Sequence, residues 1–258
     1  MIRLVYVCRR LPSLSREEFQ GYWREKHGPL VAKHATAMRI HRYVQTHTIA
    51  EITDGTLREG FGQTAAYDGV AELWWDNLDE LTAIAQAPKG QQAWQELLDD
   101  ERNFIDFPRS SMWLATELPQ VNPTPENIVA REENTIIKIF YVFRHLPSLS
   151  LEEAQLYWRM NHGPLLRRWA QPARIRRYLQ VHMLPGPLND LVRAPYGAME
   201  EPYTGHAELW YDRLDLAASA TGPEYMRAMQ LFAQDEAKFI DFSKSAMWFA
   251  KEHVFVDR

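Results

Sequence analysis

The chain has 258 residues, 46% of them hydrophobic, enough for one large domain or two small ones that share a core. Its formal net charge is -5 with both signs interspersed, so it lacks the clustered Lys and Arg that neutralise phosphates, and nucleic acid is not an expected partner. Cys8 is the only cysteine, no apolar run approaches the ~18 residues of a membrane span, and no signal-peptide pattern precedes the first strand-like run. A soluble, cytoplasmic protein is expected.

Residues Ile2–Cys8 read as a first strand, apolar on both faces. Ser15 and Glu18 form a capping box that starts a helix. Phe19, Tyr22, Trp23, His27 and Leu30 then follow helical spacing along one buried stripe. Pro29 lacks a backbone donor and restricts the residue before it, so this helix is expected to end or kink around His27-Gly28. Residues Arg39–Thr48 alternate as a second strand. Glu51–Thr64, rich in glycine and charge, reads as a long loop. Its Gly60-Phe61-Gly62 lacks the third glycine and following helix of a dinucleotide site. Ala66–Trp75 is a third strand, Asn77–Asn103 carries a helical pattern broken at Pro88, and Ser110–Glu117 is a fourth strand.

The same order then recurs. Leu11-Pro12-Ser13-Leu14-Ser15 returns as Leu146-Pro147-Ser148-Leu149-Ser150, an offset of 135 that shifts by one across the middle loop. Tyr22-Trp23-Arg24 returns as Tyr157-Trp158-Arg159, His27-Gly28-Pro29-Leu30 as His162-Gly163-Pro164-Leu165, and Phe104-Ile105-Asp106-Phe107 as Phe239-Ile240-Asp241-Phe242. The chain therefore divides into repeat 1 (1–118), a proline-spaced linker (119–134) and repeat 2 (135–258); the loop Met183–Pro202 of repeat 2 is the longer and richer in proline. Each repeat has the ferredoxin-like order βαββαβ, with helices covering one face of an antiparallel sheet. The third strand is nevertheless apolar on both sides, with Ala71, Leu73 and Trp75 on one and Val70 and Trp74 on the other. The uncovered face needs a second sheet, which the other repeat supplies. The expected fold is α+β: two ferredoxin-like repeats fused face to face as an intramolecular dimeric α+β barrel, with further homodimerisation through outer surfaces left open.

These motifs resemble the EthD family of dimeric α+β barrel proteins: Leu-Pro-x-Leu-Ser-x-Glu-Glu, Tyr-Trp-Arg…His-Gly-Pro-Leu, Arg-Tyr-x-Gln-x-His, and Tyr67-Asp68-Gly69-Val70-Ala71-Glu72-Leu73-Trp74. The resemblance covers both repeats. It implies the barrel fold and a range of activities seen on such barrels: cofactor-free monooxygenases, muconolactone-type isomerases, decarboxylases and dehydratases, and some haem proteins. It also implies an essential histidine on the first helix, as related isomerases have.

Candidate chemistry gathers on three segments. On the second strand Tyr43, Gln45 and His47 share one face and the largely apolar set Ile40, Arg42, Val44 and Thr46 the other; Tyr178, Gln180 and His182 repeat the polar set. If the apolar set packs on the helices, the polar set points into the barrel. There Glu72 and Trp74, matched by Glu208 and Trp210, would join it. His27 and His162 end the apolar stripe that Trp23 and Trp158 share. The expected catalytic residues are thus His27, Tyr43, His47, His162, Tyr178 and His182. The expected substrate contacts are Trp23, Gln45, Glu72, Trp74, Trp158, Gln180, Glu208 and Trp210, around a small apolar or aromatic ligand. The competing structural readings are histidines that bond freed carbonyls, a polar cluster that fixes strand register, and glutamates paired with Arg9 or Arg144. No metal is expected: His41 and His47 would lie ~20 Å apart along their strand, and a His27, His47, Glu72 triad is the remaining combination. No cofactor is expected either, with haem as the open alternative. The leading activity is cofactor-independent acid–base chemistry of lyase, isomerase or dehydratase type. The rivals are a binding or accessory protein of an oxygenase pathway and a haem or oxygen-using monooxygenase.

Overall fold

The computed structural model describes residues 1–49, 64–122, 128–215 and 222–258. Most of the loop Glu51–Thr64, with Gly60-Phe61-Gly62, lies outside them. Repeat 1 contributes β1 (Ile2–Cys8), β2 (Arg42–Thr48), β3 (Gly69–Trp75) and β4 (Ser111–Val121); repeat 2 contributes β5 (Ile137–His145), β6 (Arg177–Met183), β7 (Gly205–Tyr211) and β8 (Ile240–Asp257). The eight strands close into one antiparallel barrel in the order β1-β3-β2-β8-β5-β7-β6-β4.

Closure depends on the two fourth strands. β4 pairs with β1 from Ser111 to Ala115 and then with β6 of the other repeat from Ala115 to Val121. β8 pairs with β5 and then with β2, from Ala250 against Thr48 to Asp257 against Arg42. The sheets face each other across an interior, as expected, but they are also hydrogen-bonded edge to edge, which leaves no free edge to aggregate. β4 consequently runs through Pro119 to Val121, into the segment read as linker. Further along that segment, Ala130 O accepts from Glu252 N–H and Ala130 N–H donates to Glu252 Oε2, which ties it to β8.

Among the described residues the helices are α1 (Arg16–Tyr22), α2 (Gly28–His34), α3 (Leu78–Gln86) and α4 (Pro88–Glu101) in repeat 1, and α5 (Leu151–Tyr157), α6 (Gly163–Trp169), α7 (Pro187–Arg193) and α8 (Pro223–Glu236) in repeat 2. Both capping boxes form: Ser15 Oγ accepts from Glu18 N–H at 3.1 Å and Ser150 Oγ from Glu153 N–H at 3.2 Å. Of the expected end or kink around His27-Gly28, the end does not occur, and the helix is instead irregular there. A π-helical turn, Trp23–His27, joins α1 to α2, with Gly28 N–H bonded to Trp23 O five residues back; Trp158–His162 does the same before α6. The wider turn lets Pro29 and Pro164 enter as first-turn residues of a new α-helical segment, where a missing N–H costs nothing. Gly28 is required by proximity, since a Cβ there would lie 2.4 Å from the ring of Phe255 on β8. The loop Met183–Pro202 also differs from expectation, because it folds into α7 and a 3-10 turn, Ala194–Tyr196.

Alternation along each strand sends one side chain to the helices and the next into the barrel. Leu4, Tyr6, Ala71, Leu73, Met112 and Leu114 pack under the helices of repeat 1, and Ile139, Tyr141, Ala207, Tyr211 and Phe249 under those of repeat 2. The lumen holds Val5, Val7, Val70, Trp113, Val142, Val181 and Trp248. At one end it also holds a charged cluster, contrary to the reading of the first strand as apolar on both faces. Arg3 Nη1 donates to Glu117 at 2.8 Å, its Nη2 reaches Glu208 and lies 3.1 Å from Glu72, and Lys138 Nζ lies 2.7 Å from Glu208, 3.2 Å from Glu72 and 3.1 Å from Glu252. Arg3→Met leaves carboxylates unpaired inside the barrel and should cost about 3–5 kcal/mol in urea unfolding, with part recovered by adding Glu208→Gln. A loss below about 1 kcal/mol would show that Arg3 does not hold the cluster together.

Candidate active site

Tyr43, Gln45 and His47 face the helices, not the lumen, and Tyr178, Gln180 and His182 do likewise. This reverses the expected orientation. Facing the helices, Gln45 Nε2 adds a second hydrogen bond to the π-turn carbonyl of Trp23 at 2.8 Å, as Gln180 does to that of Trp158 at 2.9 Å. His47 stacks on Trp23 with ring centroids 4.9 Å apart, and His182 on Trp158 at 4.4 Å. Their Nε2 atoms lie 3.0 and 3.2 Å from Gln45 and Gln180 Oε1. Burial lowers both histidines, His182 to about 4 with Arg159 adding to it, so they stay neutral near pH 7. Thr46 is the residue turned inward, donating to Glu72 at 2.6 Å.

The expected site residues therefore fall on opposite sides of the sheet. Glu72, Trp74, Glu208 and Trp210 belong to the lumen, where Trp74 Nε1 donates to Glu117 at 2.6 Å and Trp210 Nε1 to Glu252 at 3.0 Å. The glutamates pair with Arg3 and Lys138, not with Arg9 or Arg144. Arg9 lies over the ring of Tyr67 and Arg144 over that of Tyr203. A His27, His47, Glu72 triad is ruled out by the intervening sheet. Glu72, His206 and Glu208 do come within metal-ligand reach of one another, but Arg3 and Lys138 already supply the positive charge there. Burial raises Glu72 despite Lys138, whereas Arg3 and Lys138 outweigh burial at Glu208 and hold it low.

Between helices and sheet each repeat forms a second kind of centre. His162 Nδ1 donates to Asp235 Oδ2 at 3.0 Å, and Asp235 also accepts from Tyr157 OH at 2.7 Å and Lys238 Nζ at 3.0 Å. Burial opposes its ionisation, but those three hydrogen bonds prevail and hold its carboxyl well below the usual range. The fixed Nδ1–H turns Nε2 to the other side, 3.8 Å from Glu236 Oε1. Burial pushes the Glu236 carboxyl up to about 7, with His162 opposing. Repeat 1 matches it: His27 Nδ1 to Asp100 at 2.7 Å, Tyr22 OH to Asp100 at 2.7 Å, His27 Nε2 3.5 Å from Glu101, and Glu101 raised by burial to about 7.

The two centres differ in space. In repeat 2, Tyr141, Trp158, His162, Tyr178, Phe232, Glu236 and Phe239 surround a cavity of 290 Å³, with aromatic walls and the His–Glu pair as its polar end. The corresponding space in repeat 1, lined by His27, Tyr43, Trp94 and Glu101, measures 30 Å³ because Tyr196 enters it. His27, Tyr43, His162, Tyr178 and Trp158 thus line these cavities, whereas His47, His182, Gln45, Gln180 and Trp23 stand behind them. Sequence reading missed the carboxylates Asp100, Glu101, Asp235 and Glu236. The signal was present, because Asp100-Glu101 returns as Asp235-Glu236 at the same offset, just upstream of the Phe-Ile-Asp-Phe match.

Comparison with known proteins agrees with this architecture. A crystal structure of an anthrone oxidase-like protein superposes with a TM-score of 0.57 at 10% identity, covering 98% of this chain and 92% of that one. A proposed monooxygenase from Lactobacillus acidophilus NCFM (TM-score 0.46, 7% identity, 98% and 94% covered) and a proposed chlorite dismutase (0.46, 10%, 98% and 94%) are more distant. These likenesses concern the fold. No curated protein matches the chain. The EthD domain family matches residues 11–108 and again residues 146–243. The chain belongs to the EthD domain family, with two copies of the domain in one polypeptide.

Proposed function

We propose that the chain is a small-molecule enzyme that works by cofactor-independent proton transfer on an apolar or aromatic oxygenated ligand held in the repeat-2 cavity. The observation that carries this reading is the pairing of an oriented imidazole with a carboxyl raised to about 7, at the polar end of a 290 Å³ aromatic cavity. Asp235 keeps the proton on Nδ1, so Nε2 is the basic nitrogen that faces Glu236. With Nε2 as base and the protonated Glu236 carboxyl as donor, the two groups take a proton from an acidic C–H or O–H of the ligand and return one to a neighbouring atom. That serves isomerisation, and it serves dehydration or another elimination when the returned proton lands on a leaving oxygen. Tyr178, whose hydroxyl accepts from Trp158 Nε1 at 2.9 Å, is held protonated by burial and serves as wall and donor, not base.

Anthrone, a fused aromatic ketone with an acidic methylene, is the first compound to assay, since a structural relative carries its name. Wild-type protein should accelerate exchange of that methylene with solvent deuterium, followed by NMR. His162→Gln should slow the catalysed exchange by about 10²–10⁴-fold, and His27→Gln should leave it unchanged. Exchange that survives His162→Gln defeats the mechanism. Ligand binding with no exchange favours a non-catalytic binding protein that uses the same cavity.

The raised carboxyl also has a signature in stability. The folded protein keeps a proton on Glu236 that the unfolded chain releases above its ordinary 4.5. The stability from this group is therefore complete below pH 4.5 and is lost as pH rises to about 7. Glu236→Gln removes that loss, so the variant should gain on wild type by about 1–3 kcal/mol more at pH 8 than at pH 5 in urea unfolding. No gain, or a gain at the acid end, contradicts a raised Glu236.

A further inference from the structure

The repeat-2 cavity has its acid–base pair at one end and an unpaired hydroxyl toward the other. Tyr225, in the first turn of α8, and Glu236, its last residue, both line the cavity, and the helix rises about 16 Å between them. Trp158, one π-turn before His162, packs at the start of β7, where a Cβ on Gly205 would lie 3.0 Å from its ring. Tyr211 ends the same strand, about 20 Å from Gly205. Tyr211 thus lies toward the Tyr225 end, away from His162 and Glu236.

Tyr211 lines the cavity and is 5% exposed. Among the described residues its hydroxyl has no hydrogen-bond partner, yet it is not sealed off as the unpaired Tyr141 hydroxyl is. Tyr178, the other phenol of this wall, is already engaged, accepting from Trp158 Nε1 at 2.9 Å. Burial pushes the Tyr211 phenol far above its ordinary 10, so it stays protonated and keeps a hydrogen to donate.

Repeat 1 handles the same position differently. Trp75 corresponds to Tyr211 as Glu72 does to Glu208, and it is fully buried with its Nε1 donating to Met38 O at 2.7 Å. Repeat 1 therefore places a bonded N–H where repeat 2 places an unpaired O–H beside a cavity. A buried donor without an acceptor is unfavourable, and a ligand oxygen within reach relieves it on binding.

We propose that Tyr211 is a specificity-determining residue of the repeat-2 cavity, its hydroxyl donating to a second ligand oxygen, a carbonyl or ether remote from the atoms that exchange protons with His162 and Glu236. This rests on the proposed function and deepens it: the ligand is an apolar ring system that carries oxygen at both ends.

The test is calorimetric titration of the full chain with 6-methoxy-2-tetralone and 6-ethyl-2-tetralone. Both are ketones with an acidic methylene, and they differ by one ether oxygen on the far side of the ring pair. Wild type should bind the methoxy compound about five-fold more tightly or better, and Tyr211→Phe should bring the ratio to about one. The urea midpoint of Tyr211→Phe should match that of wild type, because the hydroxyl bonds nothing within the fold. Equal affinities in wild type, binding of neither compound, a ratio that survives Tyr211→Phe, or a variant that is destabilised or fails to fold would each overturn the proposal. Exchange of the methylene with solvent deuterium, followed on the same two ketones, keeps this outcome apart from that of the proposed function. Equal affinities with exchange still dependent on His162 remove the role of Tyr211 alone. A ratio that depends on Tyr211 with exchange independent of His162 removes the proton-transfer mechanism alone.

Discussion

The edges of two four-stranded sheets are the constraint on which the rest depends. A ferredoxin-like sheet leaves unpaired N–H and C=O groups along its outer strands, and here each repeat satisfies those of the other through an overlong fourth strand. That closure turns two half-buried faces into one lumen. It also brings residues from distant parts of the chain together: Arg3 from the first strand, Glu117 from the fourth, Lys138 from the fifth and Glu252 from the last. Charges at that depth are tolerated because each cation meets several carboxylates, and Trp74 and Trp210 supply further donors.

Closure also shapes the layer outside the barrel. The fourth strand of one repeat crosses close to the first helix of the other, so glycine stands at 28 against Phe255 and at 163 against Gln120. Immediately before each glycine the helix widens into a π-turn. That turn directs His27 and His162 at the carboxylates of α4 and α8, while Gln45 and Gln180 bond its carbonyl. A helix that stopped at the proline would have left these histidines without a common geometry. Orientation by Asp100 or Asp235 and burial of Glu101 or Glu236 follow from the same packing, and together they set an oriented imidazole beside a raised carboxyl.

Duplication supplied two such centres, and the barrel treats them differently. The segment after β6 folds into α7 and carries Tyr196 across to repeat 1, where Trp94 further reduces the space. Repeat 2 has Met229 at that position and retains a cavity. An internal pair thus gives what a symmetric homodimer cannot: two centres of unequal volume, each free to vary independently.

Much of this was legible in the amino-acid order. The 135-residue repeat, the capping boxes at Ser15 and Ser150, the βαββαβ order and the need of each sheet for a partner all follow from periodicity and local chemistry. Alternation also separated Tyr43, Gln45 and His47 from Val44 and Thr46, but it could not say which set faces the helices. A two-residue period defines two faces without assigning their destinations, and here the polar one lies under the π-turn, where Gln45 and Gln180 add a second hydrogen bond to its carbonyl. The pairing of Arg3 and Lys138 with buried glutamates, the meeting of His162 with Asp235 and Glu236, and the entry of Tyr196 into the opposite repeat join residues about 70 to 200 positions apart. Local sequence rules reach only a few residues along the chain, so those contacts, and with them the choice of which centre stays open, were decided by barrel closure.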